Sequence, residues 1–526
     1  MDKLDTDELN LPWSCSLYLT LLLLLLVPAG MHIVSRKLRR RRENAGTDGL
    51  RLPPGPWRLP IIGSLHHLAM NRHRKVVHRA LADLARRCDD LAPLMYLRLG
   101  ELPVVVASTP DAAREVLKTH DAAFSTRAMS AAWRHLRGIC TLELLSAKRV
   151  RSFRPIREEQ VARLVGAVAA AAAAAAPSGE PVNVRRLIGG PMTDLALRAI
   201  MGEHCLISGG GREEFLETLG EAAEKCSGFG VADLFPSSRL LRAVGTAATS
   251  TVRDVKLLSA KLYDMVGRAI EQHQEHADDG GAHGDRECLL STLLRIPKEG
   301  DNNDDGGDLT MANVKAVILD MFAGGSETTS TTLEWAMSEL VRNPEVMQKA
   351  QAEIRHALQG KSRVTEDDLI NLRYPKNIIK ETLRLHPLAS LLVPRECQES
   401  CKILGYDIPK GTILIVNVWA IGRDHRYWDD AEVFIPERFE DTTIDFKGTN
   451  FEFIPFGAGR RMCPGMTFAH ATIELALTAL LYHFDWHLPH GVTHDGMDME
   501  EQFSVTVSRK RDLYLHPIQH MGVEEI

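Results

Sequence analysis

A mostly α protein with small β-sheets, preceded by one N-terminal transmembrane helix, is the fold class this sequence predicts. Three observations carry it. Apolar residues recur at helical spacing from Asp111 onward, strand-like runs are few and short, and an uncharged stretch from Trp13 to Val34 stands apart from the basic run after it. With 44% hydrophobic and 25% charged residues over 526 positions, the rest is ordinary globular material, long enough for a large core.

At ~1.5 Å per residue, Trp13 to Val34 gives roughly 33 Å of helix, enough to cross a bilayer. A signal peptide carries its basic residues before the apolar run; here Arg36, Lys37 and Arg39 to Arg42 come after it. Asp2, Asp5, Asp7 and Glu8 precede the run, so the charge asymmetry places the body of the protein in the cytosol. Residues 1–35 are read as the anchor and 36–60 as a basic, proline-rich hinge, because Pro53, Pro54 and Pro56 cannot continue a helix. Residues 61–526 form the body. The net charge of −6 argues against a nucleic-acid binder. Nine cysteines, an odd number without a CxxC pair, suggest neither a disulfide framework nor a zinc knuckle, and fit a reducing compartment.

Within the body, "LMYLRLG" and "PVVVAS" read as the first two strands, and strand-like runs return at "GTILIVNVWAIG" and "FSVTVSRK". The alanine tract Ala169 to Ala176, stopped by Pro177, is a helix without chemistry. The segments "EHADDGGAHGDRE" and "PKEGDNNDDGGD" read as surface loops rather than metal sites. One long helix is expected from Leu309 to about Arg342. Its middle, "AGGSETTSTT", is poor helix material: each glycine costs on the order of 1 kcal/mol relative to alanine, and the hydroxyls can bond carbonyls four residues back. Two readings of Gly324 and Gly325 stay open here, a close helix crossing and a ligand-facing notch with Glu327 and Thr328 as a proton-handling pair.

Glu381 and Arg384 stand three apart on one face of a helix flanked by Ile378, Ile379, Leu383 and Leu385, so the pair is expected to be buried and in need of further partners. Arg438, in "FIPERF", is the candidate third member. Cys463 follows a loop with Gly457, Gly459, Arg460 and Arg461, and Pro464 is expected to start the next helix. Cationic neighbours and a helix N-terminus favour thiolate, so Cys463 reads as a nucleophile or a metal ligand. No base and orienting partner of a cysteine hydrolase stand near it in sequence.

Phe456, Gly459, Arg461, Cys463 and Gly465 reproduce the FxxGxRxCxG signature, and with them the chain resembles the cytochrome P450 monooxygenases. Gly324 to Thr329 is similar to that family's oxygen-activating motif, Glu381-x-x-Arg384 to its ExxR pair, "PERF" to the loop that completes that pair, Trp133 to Arg137 to its WxxxR element, and "PPGP" to its hinge. "TLRLHP", "PERF" and "PPGP" together resemble the plant A-type, endoplasmic-reticulum group. The resemblance implies a P450 fold, with haem b between a long distal helix and a proximal cysteine loop. It implies Cys463 as the axial ligand of haem iron, Phe456 packed beside the sulfur and helping to set its potential, Gly459 and Trp133 also among the haem-binding residues, and Arg461, Arg137 and Arg395 on the propionates. Thr328 and Glu327 would handle oxygen and protons, Phe322, Ala323, Leu391, Leu392 and Phe503 would face a substrate, and Glu381, Arg384 and Arg438 would be structural.

The implied reaction inserts one atom of O2 into a lipophilic small molecule, such as a terpenoid of plant specialised metabolism. Electrons come from NADPH through cytochrome P450 reductase, with cytochrome b5 as a second donor, at the endoplasmic reticulum membrane; no nucleic acid is involved. A peroxide-rearranging member that needs no reductase is disfavoured by the retained Glu327 and Thr328. One departure from the family pattern stands out. Only Met129 to Ala132 separate Ala128 from Trp133, where the family runs a loop and short helix over the haem. The alternative it raises is a haem-binding but catalytically impaired relative or a truncated isoform.

Overall fold

The computed structural model describes residues 49–520 apart from 72, 74–75, 89–91, 125–135, 203–210, 227–230, 239–250, 279–287 and 300–309. The expected anchor, the shortened passage between Ala128 and Trp133, Trp133 itself and most of the two acidic, glycine-rich segments lie outside the described residues. Among those described, no helix is long and apolar enough to cross a membrane.

The elements that position the site are, in chain order, helix α1 (Val77–Cys88), strands β1 (Leu94–Leu99) and β2 (Leu102–Ala107), and helices α2 (Arg154–Ala175) and α3 (Val184–Met201). Then come α4 (Met311–Gly325), α5 (Glu327–Arg342), α6 (Tyr374–Leu385), strands β3 (Arg395–Glu396) and β4 (Ile413–Val416), helix α7 (Met466–His483), and strands β5 (Glu501–Phe503) and β6 (Val507–Arg509). The sheet order is β1-β2-β4-β3, with β2 and β4 parallel and the other pairs antiparallel. Register is pinned by Tyr96 opposite Val105 and Val106 beside Ile415.

Helices α5, α6 and α7 pack on one another and form the centre with α2 and α3. From Thr331 to Val341 and from Thr472 to His483 every residue is buried, as expected of helices enclosed on all sides. Both halves of the expected site therefore begin where a buried helix begins: Glu327 and Thr328 open α5, and Cys463 stands just before α7.

Four local expectations are corrected. The single long helix is two, because the hydroxyls of Ser326, Thr328 and Thr329 take the carbonyls of Phe322, Gly324 and Gly325 at 3.0, 2.7 and 3.1 Å and break the axis at Ser326. "FSVTVSRK" is not one strand; Ser504 N–H donates to the Thr506 carbonyl at 3.1 Å and turns the chain between β5 and β6. In "GTILIVNVWAIG" the strand ends at Val416, since the Asn417 side chain accepts from Ala420 N–H at 3.1 Å and caps a short helix, Val418–Ile421. Helix α7 starts at Met466, two residues after Pro464.

The Glu381 carboxylate lies at the middle of the core. Arg384 donates to both its oxygens, at 2.7 and 2.8 Å, Arg438 Nε to Oε1 at 3.0 Å, and Ile435 N–H to Oε1 at 2.8 Å. The Arg384 fork is completed by the carbonyls of Gly422, Ala431 and Val433. Both members of the central pair have fully buried side chains. Glu381→Ala leaves the Arg384 charge without its partner and is expected to lower unfolding free energy by about 3–5 kcal/mol, read from urea melts. Acid acts on the same core through a histidine. Burial lowers the His483 pKa to about 4. The unfolded chain therefore binds the proton first, and this histidine's contribution is lost as pH falls through the ordinary value. Stability should fall by about 2 kcal/mol from this group between pH 7 and 5, and His483→Gln should remove that part of the slope.

Candidate functional site

The cysteine loop is held mainly through its backbone. Cys463 N–H donates to the Phe456 carbonyl at 3.0 Å and Met462 N–H to the Gly459 carbonyl at 3.1 Å. Gly459 has φ +72°, and a Cβ there would stand 2.2 Å from the Leu117 carbonyl oxygen, so only glycine fits. Asp121, which sequence reasoning missed, anchors the loop from outside. Its carboxylate accepts Arg460 N–H at 3.0 Å and the buried Arg395 at 2.9 Å, and Arg395 also donates to the Ala458 carbonyl at 3.3 Å. No motif marks an aspartate in "THDAAF"; only the fold brings it to the loop.

Aromatic packing links this loop to the Glu381 network. Trp428 lies beneath Arg384 and packs on Phe439, Phe439 on Phe453, Phe453 on Phe446, and Phe446 on Phe456, with ring centroids 5.1–6.4 Å apart. Phe456 then carries the carbonyl that receives Cys463 N–H.

Cys463 is exposed as a residue, yet burial still weighs on its sulfur. Burial pushes its thiol up from the ordinary value, against the N–H groups of Gly465 and Met466 and the Arg137 guanidinium. The cation and the N–H groups at the helix start thus act in the expected direction, with Arg137 as the cation, and burial outweighs them. A bound metal cation would reverse that balance.

Hydrogen bonds and close contacts tie together the segments around the cysteine loop and, separately, those around Glu327. Arg461 donates to the Pro394 carbonyl at 3.4 Å, and Leu392, at an unusual φ of +50°, approaches Gly457. Leu388 in the same segment accepts Val507 N–H at 3.0 Å, and on the β5–β6 turn Thr506 donates to Glu327 at 2.9 Å. Across the break from Glu327, Ala323 and Gly324 are exposed on α4. Asp320, one turn earlier, acts electrostatically on Cys140, and Arg137 lies near both Cys140 and Cys463 while donating to the Met462 carbonyl.

The open question at Gly324 and Gly325 has an answer among the described residues: none of them lies within 4 Å of where a Cβ would stand on either glycine, so no described helix crosses there and the notch is open. Thr328 and Glu327 stand at its edge. Phe322 is fully buried against Phe215, with ring centroids 5.2 Å apart, and Phe503 is half-buried with its ring 5.8 Å from His78. Leu391 and Leu392 are half-buried.

The donor set fits haem. A single accessible thiol, with no group of three metal-binding side chains among the described residues, suits a metal that brings its own equatorial ligands. The arginines at the loop suit a cofactor carrying carboxylates.

Comparison with known proteins agrees. The family model for cytochrome P450 matches residues 53–515. An ent-isokaurene C2/C3-hydroxylase of Oryza sativa subsp. japonica is 44% identical over 90% of this chain and 93% of its own length. A dolabradiene monooxygenase of Zea mays is 44% identical, covering 90% and 93%, and a premnaspirodiene oxygenase of Hyoscyamus muticus is 42% identical, covering 91% and 95%. With a thiol loop, a glycine notch and a buried ExxR network in one fold, the chain belongs to the cytochrome P450 monooxygenase family, in its plant A-type group.

Proposed function

We propose that this protein is a haem-thiolate monooxygenase that inserts one oxygen atom from O2 into a lipophilic terpenoid, with electrons from NADPH delivered by a separate reductase. What supports the reading is an exposed Cys463 in a loop held by its own backbone, together with the open notch at Gly324 and Gly325 that Glu327 and Thr328 flank, in a chain of this family. The names of the three relatives favour a terpenoid.

When bound, haem would supply O2 activation, with the thiolate favouring O–O cleavage. Cys463 would be its protein ligand, Phe456 would pack beside the sulfur, and Arg137, Arg395 and Arg461 would receive the propionates, with Trp133 beside them. Arg395 is already tied to Asp121, which makes it a fixed rather than a searching donor. Thr328 holds its hydroxyl against the Gly324 carbonyl, ready to turn toward a ligand in the notch, and Glu327 would exchange protons with it. Ala323, Leu391, Leu392 and Phe503 would form the substrate wall, and Phe322 would back it from the core.

A reductase or cytochrome b5 would dock beside the start of α7, where a groove of about 590 Å³ carries Arg373, Lys376, Lys380 and Lys447 together with Glu440, Asp445 and Glu474. Residues 1–35 would anchor the chain in the endoplasmic reticulum membrane, with 36–60 as hinge and the catalytic body, 61–526, in the cytosol. The short passage before Trp133 keeps a second reading, a haem-binding relative without turnover.

Purified protein with reductase and NADPH separates the two. A thiolate-type carbon monoxide difference band together with oxygenated product from a terpenoid panel is expected; the band with no product would leave the second reading. Thr328→Ala should lower product per NADPH several-fold while the band persists, and unchanged coupling would remove Thr328 from proton handling. Gly459→Ala should lower the haem-to-protein ratio several-fold, because a positive φ costs a side chain about 1–2 kcal/mol before its contact with Leu117 is counted.

A further inference from the structure

Glu327 is exposed at the first position of α5, where a glutamate side chain normally samples many rotamers at no cost. Here one of its oxygens is held. Thr506 Oγ donates to Glu327 Oε1 at 2.9 Å, and Thr506 is itself buried. A threonine hydroxyl has one proton to give, so this bond commits it to the carboxylate and leaves its lone pairs free to accept from water. Among the described residues no protein donor claims Oε2, which is the atom left to exchange a proton toward Thr328.

The clamp works only if Thr506 is fixed, and the surrounding bonds fix it. Val507, the next residue, donates its N–H to the Leu388 carbonyl at 3.0 Å and accepts Trp335 Nε1 at 3.1 Å, and Trp335 belongs to α5, two turns beyond Glu327. At the start of the hairpin, Glu501 is held by His78 at 3.0 Å and Arg79 at 2.7 Å; at its end Arg509 donates to the Asp498 carbonyl at 2.6 Å. The hairpin and α5 are thus joined by two direct side-chain hydrogen bonds, one of which sets the threonine hydroxyl on the helix's first carboxylate. The same hairpin carries Phe503 and the exposed Val505.

We propose that Thr506 is a positioning residue for proton delivery: its hydroxyl holds the Glu327 carboxylate at the edge of the notch and leaves Oε2 free for proton exchange with Thr328. This rests on the reading of Glu327 and Thr328 as the proton-handling pair. Because β5–β6 is also a wall of the site, the clamp ties the acid's orientation to the packing of that wall.

The test is a double-mutant cycle on purified holoenzyme with Thr506→Val, Thr506→Ser, Glu327→Gln and the Thr506→Val/Glu327→Gln pair. Two readouts are taken. One is the thermal unfolding midpoint, which needs no turnover. The other is hydrogen peroxide released per NADPH oxidised with reductase and no added substrate; each peroxide takes two electrons from NADPH and two protons, and the remaining NADPH carries O2 on to water. Thr506→Val is expected to change the peroxide fraction at least twofold, in the same direction as Glu327→Gln, and Thr506→Ser to restore the parent value. Adding Thr506→Val to Glu327→Gln should change neither readout further.

Additive midpoints, or a peroxide fraction in Thr506→Val equal to the parent while Glu327→Gln shifts it, would overturn the positioning role and leave the proton pair standing. A Glu327→Gln variant with the parent's peroxide fraction would overturn both.

Discussion

The structure depends on one buried carboxylate. Glu381 carries a negative charge into the core, where it is tolerable only if every lone pair is used, and Arg384, Arg438 and the Ile435 N–H use them. Because Arg384 also takes the carbonyls of Gly422, Ala431 and Val433, the pair nails an irregular stretch of chain to helix α6. That stretch has little regular structure to hold itself. The ladder of aromatic rings from Trp428 to Phe456 passes its position on to the cysteine loop. The charge network is thus linked by packing to the loop that carries the sulfur.

The two halves of the site are held by different physics. On the sulfur side, backbone hydrogen bonds, an obligatory glycine and the Asp121 carboxylate leave the loop no alternative course. On the distal side, α4 ends in a turn whose carbonyls are satisfied by hydroxyls four residues on, and the acid beyond it is held by one threonine. A ligand geometry demands rigidity; proton movement demands groups that can turn.

Much of this was legible in the residues and some of it could not be. The ExxR pair and the first two strands follow from spacing and periodicity, which are local properties; the third arginine, Arg438, lies 57 positions from Glu381 and was implied by the family resemblance. The weak centre of the long helix was visible as poor propensity, but only the folded chain distinguishes a notch from a helix crossing, because both need glycine. Asp121 and Thr506 were illegible for a common reason. Each acts across more than 170 positions of sequence, on Arg395 and Glu327, and neither sits in a pattern that periodicity can register. The turn inside "FSVTVSRK" was hidden because every residue in it suits a strand.

The upward push on the Cys463 thiol bears on how the loop is built. If the loop's form depended on a charged sulfur, desolvation would strain it, since the surroundings favour the neutral thiol. The bond that fixes Cys463 is instead its own N–H on the Phe456 carbonyl, and neighbouring residues set the loop's course from both sides. The bonds that set the loop's course thus do not involve the sulfur's charge, and in the proposed role the metal would bear the cost of making the thiolate. Such a division would suit the proposed site, which must present one ligand in one place: backbone hydrogen bonds, Gly459 and the Asp121 carboxylate supply position, and the charge of the sulfur would be settled by what it binds.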